Sequence, residues 1–565
     1  MPATAPRLAD ATALALRAQA ATHLRAGRLA DAERALQVVL RERGNDGEAR
    51  YLLGLVALQA GNAAAAAALL LPAAAQSPQD AQTQYNAGVA LVLSDRFEEA
   101  AEYFRRSLAL QPGNGAAWNN LGNILKAFGE VDEAVACLER AMALSPGDAV
   151  RQSHHLICAH YSQSFTHEQL FALHRSWAER HAARFYPAAE PAIDNANPER
   201  MLRVGLVSPS FNGKIVGQFL RGVLPHLRAS DLELFAYSAT VEKDAVSEEL
   251  RASVDHWREI GALDDDAAAR LIVGERIDIL IDLAGHAPGN RLLLFARKPA
   301  VLQVSWLDYF DTTGLATVDY LVTDPRTTPP GSPQRFSEKL LYLPETRLCW
   351  APPEFAPEVA SPPQAERGHI TIGSFNRVDK LNPELLALWA RVLARLPEAR
   401  LVLKGVALAQ AEVRRHLAER FAALGVSTER VEWRGPSSHA GLLAQYADLD
   451  LALDTTPYNG GATTCDALWM GVPVIALRGE RMIARQSAAM LECVGHGELV
   501  ADSLDQYVEL AVALAEDPAR LASLRATLRG AMARSPLCDG RRFARDLRAA
   551  LRQAWRQRCR EVTEN

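Results

Sequence analysis

The sequence is sparing with cysteine and spaces it widely. Seven occur in 565 residues, at positions 137, 158, 349, 465, 493, 538 and 559, with no Cys-x-x-Cys pair and no histidines at ligand spacing beside them. This argues against a zinc centre and a disulfide framework, and it fits a reducing cytoplasmic location. Runs of one charge are missing as well. A formal net charge of -6 is mild for this length, so neither nucleic acid nor an anionic membrane is expected as a main partner. No apolar run is long enough to span a bilayer, and the most apolar one, "NAAAAAALLLPAAA", is short and broken by Pro72. The opening "MPATAPRLADATALALRAQA" lacks a charged start followed by an apolar segment, so no export signal is expected. What is present is a chain too long for one core, and two to four domains follow from its length.

The first pattern is a repeat. Gly54, Gly88 and Gly122 are 34 residues apart, and the same step relates Ala32, Ala66, Ala100 and Ala134, and also Pro78, Pro112 and Pro146. The spacing predicts a helix pair per unit. The small residue lets the two helices approach, Leu36, Leu70, Phe104 and Leu138 fill the space between them, and the proline stops the second helix. Four units are expected within residues 9–148, and "AAWNNLGNILKAFGEVDEAVACLERAMALSPGD" resembles the tetratricopeptide repeat most clearly. Such arrays are concave scaffolds for peptides or proteins. Asn86 and Asn120 share one repeat position on the first helix of the pair; on the concave face they would hydrogen-bond the backbone of an acceptor protein, and otherwise they are solvated.

Residues 149–199 are predicted to form a helical connector, rich in histidine, that ends in the linker "YPAAEPAIDNANPERM". The histidines show no His-Glu-x-x-His arrangement, so surface or helix-packing roles are expected ahead of metal binding. Beyond the linker, short β-branched runs alternate with amphipathic segments: "LRVGLVS", "LELFAYS", "IDILIDLAG", "VLQVSWL" and "DYLVTD". A proline-rich stretch from Trp350 to Gly368 interrupts the alternation, which then resumes with "HITIGSFN", "ARLVLKG", "RVEWRG", "LDLALD" and "VPVIAL". The reading is two α/β lobes in series, each a doubly wound parallel Rossmann-like sheet, over residues 200–365 and 366–560, with the final helix assigned to the second.

Ligands of such sheets sit beyond the carboxyl ends of the strands. In the second lobe three segments converge there. "GSFNRVDKLNPELL" carries Asn376, Arg377 and Lys380 on a loop; Lys380 is placed either to meet a phosphate oxygen or simply on the surface. "DTTPYNGGATTCDALW" has small residues at Gly460 and Gly461 that admit a close ligand, with Thr463 and Thr464 opening a helix and Asp466 in its first turn. Hydroxyls and free N–H groups suit a diphosphate, and a carboxylate suits ribose hydroxyls, unless Asp466 is only a helix-start charge. Arg485 of "RGERMIARQSAA" approaches the same pocket or pairs on the surface. From the residues alone, this is a two-lobed nucleotide-binding protein.

From Leu202 to about Trp555 the chain also resembles the catalytic region of the protein O-GlcNAc transferase family. The motifs are "IDILIDLAGHAPGNRLLLFARKPAVLQVSWLDYFDTTGLATVDYLVTD", "FSEKLLYLPET", "GSFNRVDKLNPELLALWARVL", "DTTPYNGGATTCDALWMGVPV" and "SPLCDGRRFARDLRAAL". The resemblance implies a GT-B glycosyltransferase, preceded by the all-α repeat solenoid. It would be inverting and metal-independent, with no cofactor besides its donor substrate UDP-GlcNAc, and would act on Ser or Thr of protein acceptors. It further implies that Lys380 meets the diphosphate and helps the leaving group depart. Thr463 and Thr464 would bond the phosphates, Asp466 the ribose, and His286 and Thr313 of the first lobe would face the cleft.

The sequence departs from the family at several positions. Ser210 stands where Asp is common, and Lys214 takes the place of a histidine proposed in the family as general base. A protonated lysine cannot accept a proton; desolvation that lowers its pKa would still let Lys214 act as a catalytic residue, and a cation there otherwise suits a phosphate or sugar oxygen. Asp308 and Asp311 replace small residues, Leu442 stands where His is frequent, and Gly461 and Ala462 stand where Thr or His is frequent. Two alternatives therefore stay open: a nucleotide-binding repeat scaffold with little or no turnover, and a transferase using another nucleotide sugar such as a GDP-linked deoxysugar. Assembly into a homo-oligomer is also left open.

Overall fold

The computed structural model describes residues 9–193 and 195–564. Residues 1–8, which begin the stretch read for an export signal, and Asp194 of the linker lie outside the described residues. Eight helices form the repeats: α1 (Asp10–Arg25), α2 (Leu29–Glu42), α3 (Gly47–Gln59), α4 (Ala63–Gln76), α5 (Ala81–Val92), α6 (Phe97–Leu110), α7 (Gly115–Ala127) and α8 (Val131–Leu144). The glycines lie where the helices of a pair touch. A Cβ added at Gly88 would fall 2.8 Å from the Phe104 ring, and one at Gly122 would fall 3.1 Å from Leu138. Ala32, Ala66, Ala100 and Ala134 are fully buried.

A second period is in the caps. Asp46, Asp80 and Asn114, again 34 residues apart, each accept a hydrogen bond at 2.9–3.1 Å from the N–H three residues on, at the starts of α3, α5 and α7. Two expectations need correction. The helix α4 runs straight through Pro72, whose side chain is solvent-exposed, so the backbone bond it forfeits lies on the wet face while Leu70, Ala73 and Ala74 stay in the core. Asn86 is buried, not solvated, Asn120 is partly exposed, and both are already hydrogen-bonded within the array. Their amides donate to the hydroxyls of Tyr51 (2.8 Å) and Tyr85 (3.4 Å), so each asparagine is tied to the preceding repeat.

The rest of the chain carries two all-parallel sheets. The first contains β1 (Leu202–Ser208), β2 (Leu232–Ser238), β3 (His256–Glu259), β4 (Ile279–Asp282), β5 (Leu302–Ser305), β6 (Tyr320–Thr323) and β7 (Lys339–Tyr342), in the order 3-2-1-4-5-6-7. The second contains β8 (Thr371–Ser374), β9 (Arg400–Lys404), β10 (Val431–Arg434), β11 (Leu451–Leu453), β12 (Val474–Leu477) and β13 (Val500–Ala501), in the order 10-9-8-11-12-13. Both orders reverse direction once, between β1 and β4 and between β8 and β11. At such a switch point the flanking loops leave in opposite directions and open a crevice. Strands β4, β5, β6 and β8 are buried throughout, as a sheet covered on both faces requires.

Two segments belong elsewhere than the sequence order indicates. The connector is part of the first lobe: Leu156, Trp177, Ala178 and Ala182 share a core with Val207, Phe235 and Leu280. The final helix, Gly540–Thr563, was read with the second lobe but packs on the first. There Arg552 donates to the carbonyls of Pro198 and Arg200 at 3.0 and 2.7 Å, and Phe543 stacks on Trp306. Its inward face is apolar, and chain order says nothing of which apolar surface it meets.

The glycine contacts yield a test of the repeats. Gly88→Val should destabilise them by about 1–3 kcal/mol through overpacking against Phe104, read as a lower denaturation midpoint; an unchanged midpoint would contradict the close approach of α5 and α6.

Candidate active site

Loops at the carboxyl ends of both sheets line two cavities of about 240 and 170 Å3 that share a wall made by Tyr161, Ile215, Val216, Asp308, Phe310, Arg377 and Tyr458. The loop after β1 supplies Ser210 and Lys214 to the larger cavity, and the loop after β5 supplies Asp308, Tyr309 and Phe310. The smaller cavity is lined by Asn376, Arg377 and Lys380 after β8, Tyr458 after β11, and Gly461, Ala462 and Thr463 at the start of the helix Ala462–Trp469.

Lys380 is the pivot of the smaller cavity. It lies in a short turn, Val378–Lys380, with only 8% of its surface exposed. Its ammonium donates to the carbonyl of Asn459 at 2.7 Å and to Oδ1 of Asn376 at 3.2 Å, and it lies 4.5 Å from the centre of the Tyr458 ring. Burial pushes its pKa down to about 8, while Asp454 and Asp379 draw it back up. Holding this charge out of water costs about 3 kcal/mol at neutral pH. A group held so is ready for an anion that restores what solvent would have supplied.

The helix Ala462–Trp469 starts at the same cavity, with Ala462 and Thr463 on the wall, and a helix start carries unpaired N–H groups. The Thr463 hydroxyl donates to Asn376 Oδ1 at 3.2 Å, so one amide joins lysine and threonine. The neighbouring predictions divide. Gly460 and Gly461 do sit at the turn: the Gly460 N–H donates to Asp454 at 2.7 Å, and a Cβ there would come within 2.9 Å of that carboxylate. Thr464, one step further round the helix, faces the core and shares a 2.8 Å hydrogen bond with Ser487. Asp466 is buried with its carboxylate 3.2 Å from His439 and lines neither cavity. Burial raises its pKa and the His439 bond opposes that. Arg485 also lines neither; it donates to the carbonyls of Arg326 and Gly479, both at 3.0 Å, and ties two backbone segments together. Arg377 lines both cavities and pairs with Asp379.

In the first lobe, two predicted cleft residues are interior. His286 is fully buried: its Nε2–H donates to the Thr313 carbonyl (3.0 Å), and its Nδ1 accepts from Ser153 (3.1 Å). Thr313 is equally buried, its hydroxyl and N–H both donating to Glu338. The connector histidines 155, 160, 174 and 181 are buried as well, not on the surface. His160, His174 and Asp311 bring their ligand atoms within 4.8 Å of one another, but the Tyr309 hydroxyl lies between the imidazoles, 2.7 Å from His174 Nε2 and 3.2 Å from His160 Nε2. Lys214 is at the open rim of the larger cavity, its side chain 65% exposed and its ammonium 2.8 Å from Glu242. The side chain is exposed and ion-paired, not desolvated, and desolvation is what a lysine acting as a base requires.

The sequence matches the description "Glycosyl transferase family 41" over residues 179–350 and 364–547, and tetratricopeptide repeats over 17–81 and 91–153. The chain belongs to glycosyl transferase family 41. The SPINDLY protein of Petunia hybrida, named a probable UDP-N-acetylglucosamine-peptide N-acetylglucosaminyltransferase, is 36% identical over 410 residues, 72% of this chain and 44% of the relative. The SEC protein of Arabidopsis thaliana, of the same descriptive name, is 29% identical over 385 residues, 66% of this chain and 39% of the relative. The chain thus spans under half the length of these curated relatives. A solved structure of a mutant O-GlcNAc transferase from Thermobaculum terrenum covers 99% of this chain and 100% of its own, at 34% identity and a TM-score of 0.77.

Several residues of this family 41 site were not singled out by sequence reasoning. Tyr458 lies within the glycine- and threonine-rich motif, whose small residues carry the sequence signal; its ring stacks on Tyr161 with centroids 4.8 Å apart and forms the floor under Lys380. Tyr161 comes from the connector, where the histidines are the residues that stand out in sequence. Asp308 was noted only as a departure. The tuned lysine yields a paired prediction. Affinity for UDP should fall as pH rises through about 8, because the ammonium is lost, while Lys380→Met should raise the melting temperature of the ligand-free protein below pH 8. The sign follows from linkage: the depressed pKa costs stability fully below about 8, and the cost disappears as pH approaches the unfolded lysine's value near 10.4. Calorimetric titration and thermal melts at pH 7 and 9 check both.

Proposed function

We propose that this chain transfers N-acetylglucosamine from UDP-GlcNAc to Ser or Thr hydroxyls of protein acceptors, with inversion at the anomeric carbon. The observation that carries the reading is the buried Lys380 ammonium, its pKa lowered to about 8, facing a cavity that also receives the start of a helix and the Thr463 hydroxyl. As the glycosidic bond breaks, negative charge collects on the diphosphate, and a preorganised cation with N–H dipoles stabilises that charge without further reorganisation. On this reading these groups do the work a metal ion would otherwise do, and no cofactor beyond the donor is called for. The names carried by the petunia and Arabidopsis relatives, which specify UDP-N-acetylglucosamine and a peptide acceptor, support the donor and acceptor proposed here.

The repeats recruit the acceptor in this proposal. Since Asn86 and Asn120 are engaged by tyrosines, any peptide contact there involves the asparagine–tyrosine pair as a unit. Action inside the cell accords with seven free cysteines, and no helix among the described residues is long and apolar enough to cross a membrane. A second reading, nucleotide binding with little turnover, draws on Lys214, which is ion-paired at the rim where the family carries a histidine.

Transfer of radiolabelled sugar from UDP-GlcNAc, with GDP-fucose in parallel, to a Ser/Thr peptide library separates these readings. Lys380→Ala should lower the transfer rate by about 10²-fold or more with no loss of folding. Transfer by that variant at the wild-type rate would show that Lys380 has no part in leaving-group departure, and UDP binding without any transfer would favour the scaffold.

A further inference from the structure

We propose that Asp308 is the general base that removes the proton from the acceptor hydroxyl; this rests on the transfer reading above. Asp308 lies on the wall common to both cavities, between the chamber of Lys380 and the chamber opened by Ser210 and Lys214. Among the described residues it is the only carboxylate lining either cavity. No hydrogen bond from another described residue engages its side chain; the cations Arg347 and Arg377 act on it through space.

The loop that presents Asp308 is held in an uncommon conformation. Leu307, just before it, has φ +88°, a left-handed conformation that costs a residue with a Cβ of order 1–3 kcal/mol. Arg347, only 1% exposed, fixes both flanks: Nη2 donates to the Leu307 carbonyl at 3.2 Å, and the guanidinium lies 4.8 Å from the Phe310 ring centre. One buried side chain therefore aims the carboxylate from both sides. Burial pushes the Asp308 pKa up to about 6, with Arg347 and then Arg377 opposing. Asp308 is thus ionised at neutral pH, yet a better proton acceptor than a solvated carboxylate.

Other candidate acceptors on the site are charged, engaged or enclosed. Lys214 is an exposed ammonium paired with Glu242. His160 Nε2 is engaged by Tyr309, and its Nδ1 is enclosed by protein. Asp282 accepts the N–H groups of Ala284 and Gly285 at 3.1 and 2.8 Å and lines neither cavity. In the proposed step the Ser or Thr O–H gives its proton to an Asp308 oxygen as the hydroxyl oxygen bonds the anomeric carbon. The bond from that carbon to the diphosphate oxygen breaks, its electron pair leaving on the diphosphate opposite Lys380. The products are the O-glycosylated acceptor, the nucleoside diphosphate and a neutral Asp308, which returns its proton to water when the products leave.

The test uses the full chain with radiolabelled UDP-GlcNAc and a Ser/Thr peptide library, alongside UDP titration and thermal melting. Asp308→Asn should lower kcat by about 10²–10⁴-fold, with UDP affinity changed by no more than about threefold and folding retained. Asp308→Gly should be equally slow and should regain activity with added formate, which a packing role would not produce. The wild-type kcat/KM should fall below about pH 6, and the residual rate of Asp308→Asn should lack that limb. Arg347, Arg377, Tyr458 and Asp282 act on Asp308, and His160 lines the same cavity; Asp282, raised by burial to about 7, and His160, held below the usual histidine range by burial, are the groups that titrate on the acid side, so an acid limb surviving in the variant would belong to one of them and overturn the proposal. A wild-type rate in Asp308→Asn, or no formate rescue of Asp308→Gly, would also overturn it and leave the transfer reading intact. UDP binding by the wild type without transfer would instead sink the transfer reading itself.

Discussion

An ammonium group kept out of water organises the candidate site. Lys380 is buried by the loop after β8, the tyrosine after β11 and the turn that opens the helix Ala462–Trp469, and its two hydrogen bonds reach Asn376 and Asn459, in different loops. A buried cation is tolerated only when polar groups surround it, so these loops are bound to each other through the charge they share. The small residue at Gly460 has the same origin, because a side chain there would meet Asp454, the carboxylate whose charge partly offsets that of the lysine.

Burial acts in opposite directions on the two groups assigned to chemistry. It lowers the Lys380 pKa to about 8 and raises that of Asp308 to about 6, so both are brought toward neutrality while each keeps its charge there. They come from different lobes: Asp308 follows β5 in the first sheet and Lys380 follows β8 in the second. Each lobe thus contributes one charged group, and each group is positioned by buried neighbours, Arg347 in one case and Asn376 with Tyr458 in the other. Membership of family 41 fits this division, and it leaves the departures at Ser210, Lys214 and Asp308 as features of this chain.

Repeats and strands were readable because they are periodic. A step of 34 in glycine, alanine and proline reports helix pairs, and the change to short β-branched runs reports parallel strands buried on both faces. The loop residues Asn376, Arg377, Lys380, Gly461 and Thr463 were readable too, since ligands of such sheets lie beyond strand ends. Side-chain direction was not. Thr464 differs from Thr463 by one step around a helix, and that step turns its hydroxyl from the cavity to Ser487. His286 and Thr313 lie in loops that belong to the cleft, yet both point inward to partners more than 20 residues away.

Local sequence determined the helix pairs, the two sheets and the loops that carry polar groups, because propensity, periodicity and turn chemistry act over a few residues. Only the tertiary structure decided that the final helix returns to the first lobe, that the connector's Tyr161 stacks on Tyr458, and that partly buried Asp308 stands on the wall shared by the cavities while Lys214 reaches only the rim of one. Burial sets the proton affinity of such a group, and burial is a property of everything packed around it, contributed by segments that lie far apart along the chain.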